Sequence, residues 1–223
     1  MTTLKEAKTV GIIGSVIMLV GSSIMLYMSL RIPSPTIIPI AYLIGLSIFG
    51  IVTIASIVIL IAVKRISNAV DDREIFNNVL VWIMLQLLGI AIFFFAIHVF
   101  LSNFEMTPFR SFFDIFAGPD TIEFNTILAA LWPLIAGLIA SWAALIISAW
   151  FLKRCYERIA ARTGTEMFGA AGYWYYRGAQ LAIVFVGVVM IVIAMILQII
   201  AFYFLPSSIQ SRRTAALAVG PEF

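Results

Sequence analysis

The chain has 223 residues, of which 63% are hydrophobic and 11% are charged, and its formal net charge is +3 at pH 7. A soluble domain is about half apolar and about a quarter charged. This composition therefore excludes a soluble or secreted protein and predicts a chain solvated by the lipid bilayer. It also predicts no nucleic-acid partner, because basic residues on the cytoplasmic side of a membrane explain the small positive charge.

Five long apolar stretches predict five transmembrane helices, because about 20 apolar residues span the hydrocarbon core. None has Lys, Arg, Asp or Glu in its interior, and continuous runs are typical of helices rather than of barrel strands. They cover residues 9–30, 36–63, 78–101, 126–152 and 178–205. The expected fold is all-α, a polytopic helix bundle forming one domain over residues 1–206, with a polar tail at 207–223.

The first stretch follows Lys5 and Lys8, as the apolar region of a signal peptide would. It continues to Leu30, whereas a cleavable apolar region is about 7–15 residues long, so we expect it to be retained as a helix. Gly11 and Gly14 give this helix a surface of small residues that another helix can approach closely.

A charged turn separates the second and third stretches. Lys64 and Arg65 end one helix and are expected to contact lipid headgroups, since cations suit a helix C-terminus and an anionic membrane surface. Asp71, Asp72 and Glu74 precede the next helix, where negative charge is favoured. A divalent cation is the alternative role for these acids, but the spacing of a calcium loop is absent. We therefore expect a solvated helix start.

A second charged segment follows the fourth stretch and resembles the first. Lys153 and Arg154, again expected to contact headgroups, are followed by Glu-Met-Phe at 166–168, as Lys64 and Arg65 are followed by Glu-Ile-Phe at 74–76. The bundle can therefore be interpreted as one helix followed by two related hairpins. Such parallel repeats occur in transporters, and they also arise by duplication without any transport role.

The loop between the third and fourth stretches predicts a short interfacial helix at residues 107–119. Four phenylalanines spaced i, i+3, i+4 and i+7 share one face, which suits the membrane interface. They are Phe109, Phe112, Phe113 and Phe116. The alternative roles for this helix are a lid over an outward-facing cavity and a docking face for a partner.

Polar groups inside the apolar stretches are Gln86, His98 and Gln198. The two glutamines are expected to form hydrogen bonds between helices, and lining a solute path is their alternative role. A metal site needs several ligands, whereas His98 is the only histidine and Cys155 the only cysteine. We expect no metal, no cofactor and no disulfide.

Small residues recur every fourth position along the fourth stretch, and such a stripe permits close helix packing within the chain or with another chain. They are Ala136, Ala140, Ala144 and Ser148.

Basic residues predict the orientation. With a cytoplasmic N-terminus, the inner segments hold Lys5, Lys8, Lys64, Arg65, Arg73, Lys153, Arg154, Arg158, Arg162 and Arg177. The outer segments hold Arg31, Arg110, Arg212 and Arg213. Since five is an odd number of spans, the C-terminus is expected to be extracytoplasmic.

Three motifs resemble a family of small archaeal and bacterial integral membrane proteins with about five spans and unknown function. They are Ile-Phe-Asn-Asn at 75–78, the segment from Thr163 to Gly172, and the ending from Ile200 to Pro206. The resemblance covers most of residues 5–206 and implies no catalytic or binding residue. The chain departs from the family pattern in its third loop and its tail.

The sequence has no HExxH, GxSxG or paired-carboxylate pattern, so we expect no enzyme. We predict a multi-pass protein of the plasma membrane, a non-catalytic subunit or scaffold whose partners are the bilayer and either itself or another membrane protein. The alternative is a small-solute transporter or channel, for which a homo-oligomer is one arrangement. A deep ionisable group usually marks an ion pathway, and His98 is the only candidate.

Overall fold

The computed structural model describes residues 4–31, 38–103 and 124–207. These residues form six α-helices and no strand, which confirms the all-α prediction. The helices are α1 Leu4–Arg31, α2 Ile38–Val70, α3 Arg73–Asn103, α4 Phe124–Thr163, α5 Glu166–Gln180 and α6 Phe185–Tyr203. The helix expected at 107–119 lies outside the described residues.

Five helices are long and apolar enough to cross a membrane, namely all but α5. Large apolar side chains remain exposed along them, for example Ile54, Met84 and Phe95. In water such surfaces would be unfavourable, so a membrane environment explains why this all-helical chain leaves them uncovered.

The fifth predicted span is divided in the structure. Its predicted first residue, Gly178, belongs to α5, and a turn at 181–184 separates this helix from α6. α5 has 15 residues, or about 22 Å at 1.5 Å per residue, which is less than the hydrocarbon thickness of about 30 Å. The prediction from hydropathy placed the end of α5 and the whole of α6 in one span, because the residues of the turn are also apolar.

α5 and α6 form an antiparallel helical hairpin. Near the turn, a Cβ atom added to Gly178 would lie 2.7 Å from the Ile191 side chain. At the other end of the pair, the Phe168 and Phe202 ring centroids are 5.1 Å apart. The chain therefore enters and leaves this hairpin at the same end.

The chain divides into two compact units, Met1–Ile83 with Ala149–Phe223, and Met84–Ser148. In the first unit, α1 packs against α2 and α6. A Cβ atom added to Gly14 would lie 3.0 Å from the side chains of Ile59 and Val58, and one added to Gly11 would overlap the Phe202 ring. Both glycines predicted to allow helix packing do lie at helix contacts.

The ends of α1 and α6 meet in the first unit. The Lys8 ammonium lies 4.7 Å from the Tyr203 ring centroid, and the Gln198 amide donates a 2.7 Å hydrogen bond to the Ser15 hydroxyl. These two helices are therefore antiparallel. The start of α1 and the end of α6 thus lie at the same end of the first unit, because α5 adds one more reversal of chain direction than the sequence predicted. The sides of the membrane on which the chain begins and ends stay a prediction.

The two charged turns share a backbone geometry. Each joins two helices through two residues, of which the first has a positive φ: 51° at Asp71 and 69° at Gly164. Glycine adopts this region freely, and Asp is among the few other residues that tolerate it. Beyond the second turn, however, the chain forms the short α5 rather than a span. The relation between the hairpins stays a prediction.

In the second unit, α3 and α4 pack through small residues. A Cβ atom added to Gly137 would overlap that of Ala96, and one added to Gly89 would lie 3.1 Å from the Ala144 Cβ atom. Close approach of this kind replaces the missing hydrophobic driving force between helices in lipid.

Candidate functional site

A buried carboxylate organises the charged end of the first unit. Asp72 is 7% exposed, and its Oδ1 atom accepts a hydrogen bond from the Glu74 amide at 3.1 Å, which caps the start of α3. Its Oδ2 atom lies 3.2 Å from Arg162 Nε and 3.6 Å from an Arg158 nitrogen. Asp72 therefore ties the turn between α2 and α3 to the end of α4.

Further polar contacts complete this cluster. The Ser67 hydroxyl donates to the Asp72 carbonyl oxygen at 2.7 Å, and Arg158 also pairs with Glu74. The prediction of a solvated helix start is thus wrong for Asp72, whose charge is neutralised by two arginines. No group of three or more His, Cys, Asp or Glu side chains within the described ranges is placed to hold a metal ion.

Sequence reasoning missed Arg158 and Arg162 as partners of Asp72. A signal was present, since the two arginines are four residues apart and must share a face of α4. The signal did not identify the partner, because Asp72 and Arg162 are separated by 90 positions in the chain.

The four basic residues predicted to contact headgroups lie at this same end, and each has a contact within the protein. Arg65 pairs with Glu6 at 2.6 Å, and Lys64 lies 5.6 Å from the Phe76 ring centroid. Lys153 lies 3.5 Å from a Glu157 oxygen and 5.5 Å from the Tyr176 ring centroid. The Arg154 guanidinium lies 3.9 Å from the Trp150 ring centroid.

Buried aromatic side chains of α4 and α5 pack next to this charged end. Tyr156 and Phe168 are fully buried, with ring centroids 5.5 Å apart. A Cβ atom added to Gly172 would lie 3.0 Å from the Lys153 Cα atom, so α5 approaches the backbone of α4 closely. Burial raises the pKa of the neighbouring Tyr175 on α5, and its phenol therefore stays neutral.

The three polar residues within spans have different surroundings. Gln198 is 2% exposed and bonds to Ser15. Gln86 is half-buried, and its side-chain oxygen has no hydrogen-bond partner among the residues that the structure describes. His98 is exposed. The structure thus gives only Gln198 an interhelical hydrogen bond within those residues.

The stripe of small residues predicted on α4 divides between two surfaces. Ala144 faces Gly89, and Ser148 is buried and donates to the Leu145 carbonyl oxygen at 2.8 Å. Ala136 and Ala140 are exposed. The residue after Ala136, Gly137, lies against Ala96 of α3 instead.

A cleft of about 470 Å³ lies between the start of α3 and the last turns of α4. Six residues line it: Glu74, Asn78, Arg154, Glu157, Arg158 and Ala161. Two of the charged side chains are acidic and two are basic, so the wall carries both signs of charge side by side.

Comparisons with known proteins confirm the predicted resemblance to a family of unknown function. A family described as "Protein of unknown function (DUF996)" matches residues 46–196. The chain is 29% identical over 209 residues to "Uncharacterized protein MJ1644" of Methanocaldococcus jannaschii, an alignment that covers 93% of this chain and 96% of that protein. No solved structure matches the chain.

Proposed function

Because the chain belongs to the DUF996 family of unknown function, we propose its role from its own helices: a non-catalytic subunit or scaffold that acts through helix–helix contacts in the membrane. The observation that carries the proposal is the surface of α4. One face of this helix packs against α3 through Gly137 and Ala144, while Ala136, Ala140 and Ala143 are exposed.

This exposed alanine face suits a further helix better than it suits lipid alone. Small side chains allow two backbones to approach, and dispersion contacts between closely packed helices drive association in a bilayer. Because the face lies within the span Leu131–Thr163, the partner would be another membrane helix, from a second copy or from a different protein.

Native mass spectrometry in a mild detergent tests this role. We expect a complex of fixed stoichiometry, and we expect Ala136→Leu with Ala140→Leu to reduce the complex about tenfold, since about 1.4 kcal/mol of lost packing changes an association constant by that factor. Ile139→Leu, an exposed substitution of equal volume on the same helix, is the matched control. A monomer in the unmodified protein would contradict the proposal.

A small-solute transporter or channel is the second candidate function. It is favoured by Gln86, whose half-buried amide oxygen has no partner within the described segments and could contact a solute or water. Flux into proteoliposomes by a monomer or homo-oligomer would support this candidate over the scaffold.

We also propose that the N-terminus and residue 207 are both cytoplasmic, in the plasma membrane. Since α1 and α6 are antiparallel, the tail with Arg212 and Arg213 joins the side of the other basic residues. Arg177 is left out of the new count, because it lies in the last turn of α5, close to the turn at 181–184. The bias then becomes 11 against 2, with Arg31 and Arg110 outside, compared with 10 against 4 for opposite termini. A larger bias of Lys and Arg fits the positive-inside rule better.

Cysteine labelling tests this orientation. In a background carrying Cys155→Ala, which removes the buried thiol, Lys5→Cys and Ser207→Cys are expected to react with an impermeant maleimide in inside-out vesicles and not in right-side-out vesicles. Ser111→Cys, between α3 and α4 in the sequence, is the control and should react in right-side-out vesicles. Labelling of positions 5 and 207 from opposite sides would contradict the arrangement.

A further inference from the structure

The cleft between α3 and α4 lies where α4 changes from apolar to charged. The apolar part of the helix ends with Trp150, Phe151 and Leu152, and Lys153 and Arg154 follow. Tryptophan beside basic residues is typical of the membrane–water interface. The cleft therefore opens at the depth that lipid headgroups occupy.

The charges in the cleft are not equally satisfied. Arg158 pairs with both Asp72 and Glu74, whereas Arg154 has no carboxylate within salt-bridge distance among the described residues and stacks on Trp150. The Asn78 side chain likewise has no hydrogen-bond partner in the part of the chain that the structure describes. These two groups are donors available to an anion.

The acidic wall offers the complementary chemistry. The Glu74 and Glu157 side chains are 64% and 51% exposed, so each keeps carboxylate surface open to a ligand although each also contacts a cation of the protein. A simple anion would be repelled by these two carboxylates. A ligand that carries both a negative and a positive charge would pair with the basic and the acidic side chains of the cleft at the same time.

We propose that this cleft binds the headgroup of a phospholipid with a primary amine, of the phosphatidylethanolamine type. The phosphodiester accepts hydrogen bonds from the Arg154 guanidinium and the Asn78 amide, which is the strong, charge-assisted pairing of Arg with phosphate. The ammonium donates to the carboxylates of Glu74 and Glu157. The proposal is independent of the scaffold role.

Apolar surface beside the cleft favours a lipid over a free headgroup. Trp150 is 37% exposed and lies four residues before Arg154, on the same face of α4. It lies on the membrane side of the charged residues that line the cleft. An acyl chain could cover this ring and gain the free energy of apolar burial, which a water-soluble headgroup cannot.

Lipid retention measures the site directly. The purified, delipidated protein in mild detergent is titrated with phosphatidylethanolamine, phosphatidylglycerol or phosphatidylcholine of matched chains, and bound lipid is counted by native mass spectrometry. We expect one phosphatidylethanolamine per chain, bound about tenfold more tightly than the other two, because each lacks one part of the double pairing. Arg154→Gln should weaken this binding about tenfold.

One further variant tests the acidic side chains of the cleft, and another serves as the control. Glu157→Gln should weaken phosphatidylethanolamine and strengthen phosphatidylglycerol, because one repulsive carboxylate is removed. Lys64→Gln removes an exposed cation of the same end that does not line the cleft, and it should change neither. An unchanged thermal midpoint shows that each variant is folded.

Three results would overturn the assignment. The first is equal retention of all three lipids, and the second is an Arg154→Gln variant that binds as tightly as the unmodified protein. The third is equal affinity for water-soluble glycerophosphoethanolamine, which would assign the cleft to a free solute rather than to a lipid.

Discussion

Asp72→Ala is expected to lower the free energy of unfolding by about 2–3 kcal/mol. The substitution removes the cap of α3, worth about 1 kcal/mol, and breaks the pairing of a buried carboxylate with Arg158 and Arg162. Both arginines are partly exposed and can be hydrated again, which keeps the loss below that of a fully buried pair. Chemical denaturation in detergent, followed by helical circular dichroism, measures the change.

Two matched variants isolate the cause. Asp72→Asn keeps an oxygen that can cap the helix and loses the charge, so about half of the destabilisation is expected. Asp71→Asn alters the neighbouring exposed carboxylate and should be neutral, because Asn tolerates the positive φ of that position. Equal stability of Asp72→Ala and Asp71→Asn would refute the role of the cluster.

Gly11→Ala is expected to cost about 1–3 kcal/mol of stability, the usual range for adding volume to a packed core. The new methyl group would overlap the ring of Phe202, which is fully buried and packs edge-on against Phe168 at 5.1 Å. The ring has little room to move, so α1 and α6 must separate. Thermal unfolding in detergent measures the loss.

Gly50→Ala is the control for glycine loss itself. Beyond the adjacent turns of its own helix, no atom of the described residues lies within 4 Å of a Cβ atom at this position. Helix propensity alone should therefore act and leave stability unchanged or raised by up to about 1 kcal/mol. Phe202→Leu in the Gly11→Ala background removes the overlapping ring edge and should recover part of the loss. Equal effects at positions 11 and 50 would contradict the packing explanation.

The helix ends show how much of the structure could be predicted from local sequence patterns. Charged segments were expected after the second and the fourth apolar stretches, and the turns at 71–72 and 164–165 lie in these segments. However, α2 and α4 continue to Val70 and Thr163, beyond the predicted ends at 63 and 152. The turn at 181–184 was not expected, because it contains no charge, Gly or Pro to interrupt the apolar run. Hydropathy reports only whether a residue prefers lipid, and a reversal built from apolar residues satisfies that preference equally well.

The candidate site was predictable in its parts and not in its assembly. The sequence placed Lys64, Arg65, Lys153 and Arg154 near one membrane surface, and these residues do lie at one end of the first unit. It could not indicate that Asp72 is buried, since the carboxylate is covered only when the end of α4 folds over the turn between α2 and α3.

By itself, the sequence determined that the chain is an all-helical protein of lipid-compatible composition, with five apolar stretches long enough to span a membrane. Apolar run length and charge placement are local properties, and no neighbouring helix is needed to express them. The tertiary structure alone decided the α5–α6 hairpin, the common end of α1 and α6, and the burial of Asp72. These features depend on contacts such as Gln198 with Ser15, across 183 positions of the chain, because only folding decides which helix faces become neighbours.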